Sequence, residues 1–320
     1  MAALGLITAF VIAIGIYWSI APAPFNVNEV TAQRLGNTES KQVIGSTSAA
    51  TLIEIAETLS EKPGGFLSND IMPPGLYLDN IPNWEFGVLV QVRDFSRAFR
   101  EDFSRSQSQS TEDADLIIAE PKFNFTNDSW LFPASESQYK EAIAALNSYL
   151  MRMVDADQSD AQFYARADNL ASWLSNVESR LGSLSQRLSA SVLQKRANID
   201  MAGDPSAAQS TPARAEVAVK TPWLEIDDVF FEARGATWAL LHFLRAAEVD
   251  FAQVLDDKNA GASLDQIIRE LEASQRSLGF PMVLNGSGFG MFANHSLTMA
   301  NYVSRANAAI IDLRRLLSQG

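Results

Sequence analysis

Residues 161–199, AQFYARADNLASWLSNVESRLGSLSQRLSASVLQKRANI, decide the fold class. Tyr164, Leu170, Trp173 or Leu174, Val177, Leu181, Leu184, Leu188 and Val192 recur mostly at steps of three and four, with Ser, Gln, Glu and Arg between them. That spacing gathers the apolar side chains on one side of a 3.6-residue helix, and its regularity resembles a coiled-coil seam more than a globular face. Gly182 weakens the helix locally by about 1 kcal/mol relative to Ala. A seam of this kind needs a partner. Tyr164, Leu174, Val177, Leu181, Leu184, Leu188 and Val192 are therefore the expected interface for self-association or for another protein.

The same periodicity extends in both directions. Leu52, Ile55, Ala56 and Leu59 place a helix at 51–60, stopped by Pro63-Gly64-Gly65. Residues 64–82 hold two more breaks, at Pro73-Pro74-Gly75 and at Pro82, yet are rich in apolar side chains, so an irregular loop packed onto the core is expected. Leu89, Val92, Phe95, Phe99 and Phe103 line a helix at 84–103, and 104–115 is a polar break. Residues 123–133 are aromatic and interrupted by proline. Ser135 with Gln138 has the capping-box spacing ahead of a helix at 136–153. Further helices are expected at 222–255, 263–276 and 291–318, and a glycine-rich turn at 285–290. Strand-like alternation is nearly absent. The reading is all-α: a helical bundle with long helices.

Residues 1–20, MAALGLITAFVIAIGIYWSI, are apolar except for Thr8 and Ser19. Twenty helical residues cover roughly 30 Å, the hydrocarbon thickness of a bilayer. Ala21-Pro22-Ala23 superficially supplies a signal-cleavage pattern, but Pro24 follows it and no Lys or Arg precedes the apolar run. A core helix would keep a polar stripe, which this run lacks. A retained single-pass anchor is expected, with a cleaved signal and a core helix as alternatives. Tyr17 and Trp18 are placed to sit in the headgroup layer. The chain thus divides into an anchor at 1–21, a linker at 22–46 and a soluble helical domain at 47–320, with an internal mobile loop near 203–221. Arg34 and Lys41, the first cations beyond the run, give the positive-inside rule little to weigh and lean toward a cytoplasmic domain.

Thirty-eight acidic against 25 basic side chains give a net charge of −13. Such a surface repels phosphodiester backbones and anionic headgroups, which argues against nucleic-acid binding and electrostatic adsorption to lipid. The absence of cysteine permits either redox compartment. About 275 residues beyond the linker suffice for one large core or two small ones.

Candidate chemistry concentrates at 221–251. Thr221 suits a cap, Pro222 a first helical position, and Glu225, Asp227 and Asp228 a first turn where the helix dipole favours negative charge. Asp228, Glu232, Gly235, Ala239 and His242 also share one helical face. Small residues beside polar ones either admit another helix closely or leave room for a ligand. Asp228 and Glu232 could share a cation, and His295 could join them from a facing helix, whereas His242 lies about 15 Å along the axis from Glu232. The alternative is ordinary capping and helix packing. Gly286, Gly288 and Gly290 do not have the dinucleotide-binding spacing and lack a preceding strand, so they are expected to form a tight turn. No nucleophile, triad or glycosidase pair stands out, and no cofactor is expected.

Several strings are unusual enough to compare directly: GGFLSNDIMPPG at 64–75, NIPNWEFGV at 80–88, FSRSQSQS at 103–110, TPWLEIDD at 221–228 and LNGSGFG at 284–290. In these the chain resembles, over nearly its whole length, a proteobacterial family of membrane-anchored proteins catalogued as domain of unknown function 2333. The resemblance implies a Gram-negative inner-membrane protein with one N-terminal helix and a domain facing the periplasm. It carries over no activity and no catalytic residues.

Three roles follow as expectations. The first is a membrane-held scaffold or accessory subunit that self-associates or binds another inner-membrane protein. The second is an envelope enzyme or ligand binder using Asp228, Glu232 and His295. The third is docking of the apolar 64–82 loop on the bilayer or on a hydrophobic client.

Overall fold

The structure is a computed structural model that describes residues 1–36, 42–106, 111–155, 160–197, 216–279 and 282–319. It is mostly helical. The helices are α1 (Ala2–Trp18), α2 (Val27–Arg34), α3 (Ser46–Glu61), α4 (Asn80–Ala98), α5 (Ala114–Phe123), α6 (Ser135–Val154), α7 (Ala167–Ser189), α8 (Ile226–Asp250), α9 (Ala252–Asp257), α10 (Gly261–Ser274) and α11 (His295–Ser318). A π turn, Phe99–Phe103, continues α4.

The core is an aromatic column between α4 and α8. Trp84 meets Trp238 at 5.2 Å between ring centroids and Phe95 stacks on Phe243 at 4.1 Å, so the two helices run parallel. Their backbones touch where Gly87 faces Glu232 and Gly235 faces Trp84. The small residues on the 228–242 face therefore admit a helix, as the packing alternative required. The π turn places Phe99 and Phe103 against Phe163, and Phe103 also against Phe251.

Around this column the helices alternate in direction. The Oδ2 of Asp250, in the last turn of α8, accepts the amide of Ser48 at the start of α3, while Lys62 just beyond α3 pairs with Glu85 near the start of α4. On α5 and α6, Asp113 pairs with Arg152 and Lys122 with Glu141, an antiparallel pair. On α7 and α11, Glu178 pairs with Arg314 and Ser191 hydrogen-bonds Asn294, again antiparallel. Consequently α4, α6, α8 and α11 begin, and α3, α5, α7 and α10 finish, at one end of the bundle.

Several expectations are corrected. The interface predicted on α7 is internal: Leu174, Val177, Leu181, Leu184 and Leu188 are all buried, covered by α11 and the α4–α8 column of the same chain. Tyr164 precedes α7, half-buried, with its amide donating to Phe103 O (2.7 Å), and Val192 follows it, half-buried. Periodicity showed that the seam needs a partner but not that the partner is 130 residues downstream.

Within the predicted 22–46 linker, of which 37–41 lie outside the described residues, the first part belongs to the fold. α2 buries Val27, Val30 and Thr31 and packs on α3. Helix 161–199 ends at Ser189, and 194–197 forms β1 (Gln194–Ala197), paired antiparallel with β2 (Glu216–Val219). This hairpin flanks the predicted loop near 203–221, of which 203–215 lie outside the described residues. Ser135 caps nothing: its hydroxyl takes the Ser129 amide and donates to Thr126 O, pinning the preceding loop. Helix α5, interrupted by Pro121, was not anticipated.

Candidate functional site

The apolar N-terminus forms a helix that leaves the body. Leu4, Leu6, Ile7 and Phe10 point to different sides of α1 and all are exposed. Contact with the bundle begins only at the far end. There Gly15 approaches Pro74 and Leu78, and Trp18 covers Gly64, where a Cβ would stand 2.8 Å from its ring. Gly64 has φ +86°, a conformation open to glycine, so the loop that seats the helix is specified twice by one residue. Tyr17 is exposed, and Trp18 is half-buried against this seat. At 17 residues α1 is about 25 Å long. Among the described residues no helix is long and apolar enough to cross a membrane.

Helix α1 departs from the end of the bundle where α4, α6, α8 and α11 begin. The loops there are pinned from beneath and apolar at their tips. Beneath the 62–79 loop, Glu85 of α4 is fully buried and accepts the amides of Leu67 and Ser68 (2.9 and 2.8 Å), the Ser68 hydroxyl and the Lys62 ammonium. Burial pushes the Glu85 carboxyl up, while Lys62 and these donors pull it down. Phe66 and Leu67 reach the core, but Ile71, Met72, Leu76 and Tyr77 face outward. Asn69 ties this loop to the next by donating to Ser129 O and Glu136. That second loop exposes Trp130, Leu131 and Phe132. Trp223 and Leu224 stand exposed before α8, and Met282, Phe289, Met291 and Phe292 before α11. The described surface also exposes Ile44, Ile117, Ile118, Met151 and Ile311 elsewhere. The exposed apolar side chains of these four loops lie at the end of the bundle where α4, α6, α8 and α11 begin.

The polar candidates are not brought together as a site. Asp228 accepts from Asn83 Nδ2 at 2.9 Å, and its pKa is pushed up to about 6 by burial and then by Asp79, Asp227 and Glu225. Glu232 is held by both terminal nitrogens of Arg187, at 2.6 and 2.5 Å. His295 lies beside Phe230, which is about 160° around α8 from both acids, so it occupies another side of that helix. Its Nδ1 accepts the Leu284 amide at 3.1 Å. Among the described residues no three His, Cys, Asp or Glu could hold a metal ion. Arg187–Glu232 and the Arg180–Asp94 pair instead face a groove of about 510 Å³ between α4, α7 and α8, each guanidinium already matched by a carboxylate.

His242 has a structural role that the sequence reading missed. Its ring stacks on Phe25 at 3.9 Å, Nδ1–H donates to Trp238 O (2.7 Å) and Nε2 accepts the Phe25 amide (3.0 Å). Burial lowers its pKa to about 3, so the neutral ring is the working form. It fastens the strand between α1 and α2 to α8.

A family described as an uncharacterized protein conserved in bacteria (DUF2333) matches residues 1–320, and the chain belongs to it. No curated protein and no solved structure matches the chain.

Proposed function

We propose that this member of the DUF2333 family is a membrane-docked accessory protein: α1 enters the bilayer, and the apolar rim around its exit rests in the headgroup layer. The observation that carries the reading is the gathering of exposed aromatic and aliphatic side chains on the one end of the bundle from which α1 leaves. Full burial of one such side chain is worth about 1.5–3 kcal/mol, so even partial insertion of four loop tips adds substantially to the helix. A net charge of −13 offers no attraction to anionic lipid, which leaves apolar insertion as the driving force. Helix α1 is about 25 Å long, so it enters the roughly 30 Å hydrocarbon layer without crossing it.

Resemblance to membrane-anchored proteins favours the bacterial inner membrane, with the bundle on the periplasmic side. In that position the protein serves as an accessory or scaffold subunit for another membrane protein. Self-association through 164–192 is not part of the reading, because those apolar side chains already have partners within the chain.

Flotation with phosphatidylcholine vesicles tests the proposal. The intact chain should float. A chain lacking residues 1–17 should retain weaker binding, and the further changes Phe132→Ser, Phe289→Ser and Met291→Ser should abolish it. Equal flotation of the truncated chain with and without those three changes would remove the rim from the account. An intact chain that stays in the aqueous phase would remove the membrane.

A further inference from the structure

Where α10 turns back toward α11, a pocket of about 180 Å³ opens between these two helices and α8. It has the space of about six waters, less than the 300–1,000 Å³ or so of drug-sized ligand sites, and suits one small polar group. Its polar lining is cationic. Arg234 of α8 donates through Nη2 to Gln275 O at 3.0 Å, and no carboxylate among the described residues pairs with it. Burial without a counter-ion lowers its pKa. Arg276, exposed just beyond α10, likewise has no carboxylate partner among the described residues. Arg152, Arg180 and Arg187, by contrast, each hold carboxylates.

The third side carries donors. His295 accepts the Leu284 amide on Nδ1, which fixes the neutral ring as the Nε2–H tautomer with a donor still to place. Tyr302 adds a hydroxyl, while that of Thr298 donates to Asn294 O at 3.1 Å.

We propose that this pocket binds a phosphate ester group, with Arg234 and Arg276 as its cationic forks and His295 and Tyr302 as flanking donors. Two guanidinium forks, an imidazole N–H and a hydroxyl line the pocket from α8, the end of α10 and α11. That is more donor directions than the two oxygens of a carboxylate use, and it fits the three or four oxygens of a phosphate. The volume admits the phosphate and the first atoms of its ester. Such a group can belong to a soluble phosphomonoester or to a lipid headgroup. The pocket shares its end of the bundle with Phe289, Met291 and Phe292. The lipid source rests on the membrane docking proposed above; the soluble source does not.

The test uses the full chain in a phosphate-free maltoside detergent, titrated calorimetrically with glycerol 3-phosphate and, separately, with monodisperse dihexanoylphosphatidylglycerol. At least one probe should saturate, and Arg276→Gln and Arg234→Met should each weaken it by about tenfold or more. Arg276→Gln is at an exposed position and leaves the fold intact, so it decides the matter should Arg234→Met fold poorly. Saturation by glycerol 3-phosphate alone assigns a soluble ester, and saturation by the short-chain lipid alone assigns a headgroup. The proposal is overturned if neither probe saturates, if the variants bind as tightly as the wild type, or if acetate binds as well as the phosphate probes. Vesicles play no part in the titration, so its failure is distinct from failure of membrane docking.

Discussion

The contact between α4 and α8 makes a quantitative prediction. A Cβ at Gly87 would lie 2.0 Å from Glu232 O and 2.7 Å from Ala236 N, and one at Gly235 would lie 2.0 Å from Trp84 O. These neighbours are helix backbone and cannot rotate away. Ordinary contact begins near 3.4 Å, so Gly87→Ala must part the helices by about 1.4 Å. Parting them loosens the Trp84–Trp238 and Phe95–Phe243 contacts at the centre of the core. Alanine returns up to about 1 kcal/mol of helix propensity, while overpacking and lost contacts cost more, for a net destabilisation of about 3 kcal/mol. In a chain of this size that is a fall in Tm of roughly 6–12 °C. Gly235→Ala should cost a similar amount. The double variant should cost less than the sum by more than about 1 kcal/mol, because helices already parted for one methyl have room for the other. Circular-dichroism melts and urea unfolding of the chain in mild detergent measure all three. A Gly87→Ala variant as stable as the wild type, or strict additivity, would refute the close approach.

Three further outcomes follow from the buried titratable groups. His242 has a folded pKa near 3 against about 6.5 when unfolded, so the unfolded chain binds the extra proton between these values and stability falls with pH across that window. The loss is about 2 kcal/mol by pH 5, and His242→Gln should flatten the Tm profile between pH 7 and 5; a parallel profile would contradict the neutral clasp. Asp228 has the opposite sign: a carboxyl raised to about 6 favours folding when protonated, so its contribution disappears as pH rises through 6. Allowing for solvent screening, Asp228→Asn should gain about 1 kcal/mol at pH 8 and nothing at pH 4. Glu85→Ala leaves Lys62 buried without its carboxylate and frees two loop amides, at a cost of about 3–5 kcal/mol, together with faster proteolysis at 64–79 than at any helix.

What the sequence made legible was local. Leu52 to Leu59, Leu89 to Phe103 and Leu170 to Leu188 mark helices whose stripes face the core, because 3.6-residue periodicity records burial directly. It does not record what does the burying. The α7 stripe was read as an intermolecular seam, yet α11 and the α4–α8 column cover it. Residues 22–46 look like a linker because they are polar and aperiodic; yet Phe25 and His242, 217 residues apart, hold the start of that segment in place. Pro121 hid α5. Gly235 and Ala239 did signal a close helix neighbour, although Gly87, the other half of the contact, drew no notice. Of the candidate site, Glu232 was visible as a carboxylate but its partner Arg187 was not. Nothing in the pattern around Arg234 and Arg276 distinguishes them, since only the fold shows that neither meets an acid. The apolar content of 64–82 is plain in the sequence. That it shares one end of the bundle with 130–132, 223–224 and 282–292 depends on the alternation of helix directions, which no local pattern contains.

The most direct test of the membrane-docked reading is quenching of tryptophan fluorescence by lipids brominated along their acyl chains. Trp84, Trp173 and Trp238 lie in the core, whereas Trp130 and Trp223 stand on the rim. With the chain bound to brominated vesicles, emission from Trp130 and Trp223, each isolated by Trp→Phe substitution of the others, should be quenched strongly, and emission from Trp173 hardly at all. Rim tryptophans that remain as bright as Trp173 would contradict the account.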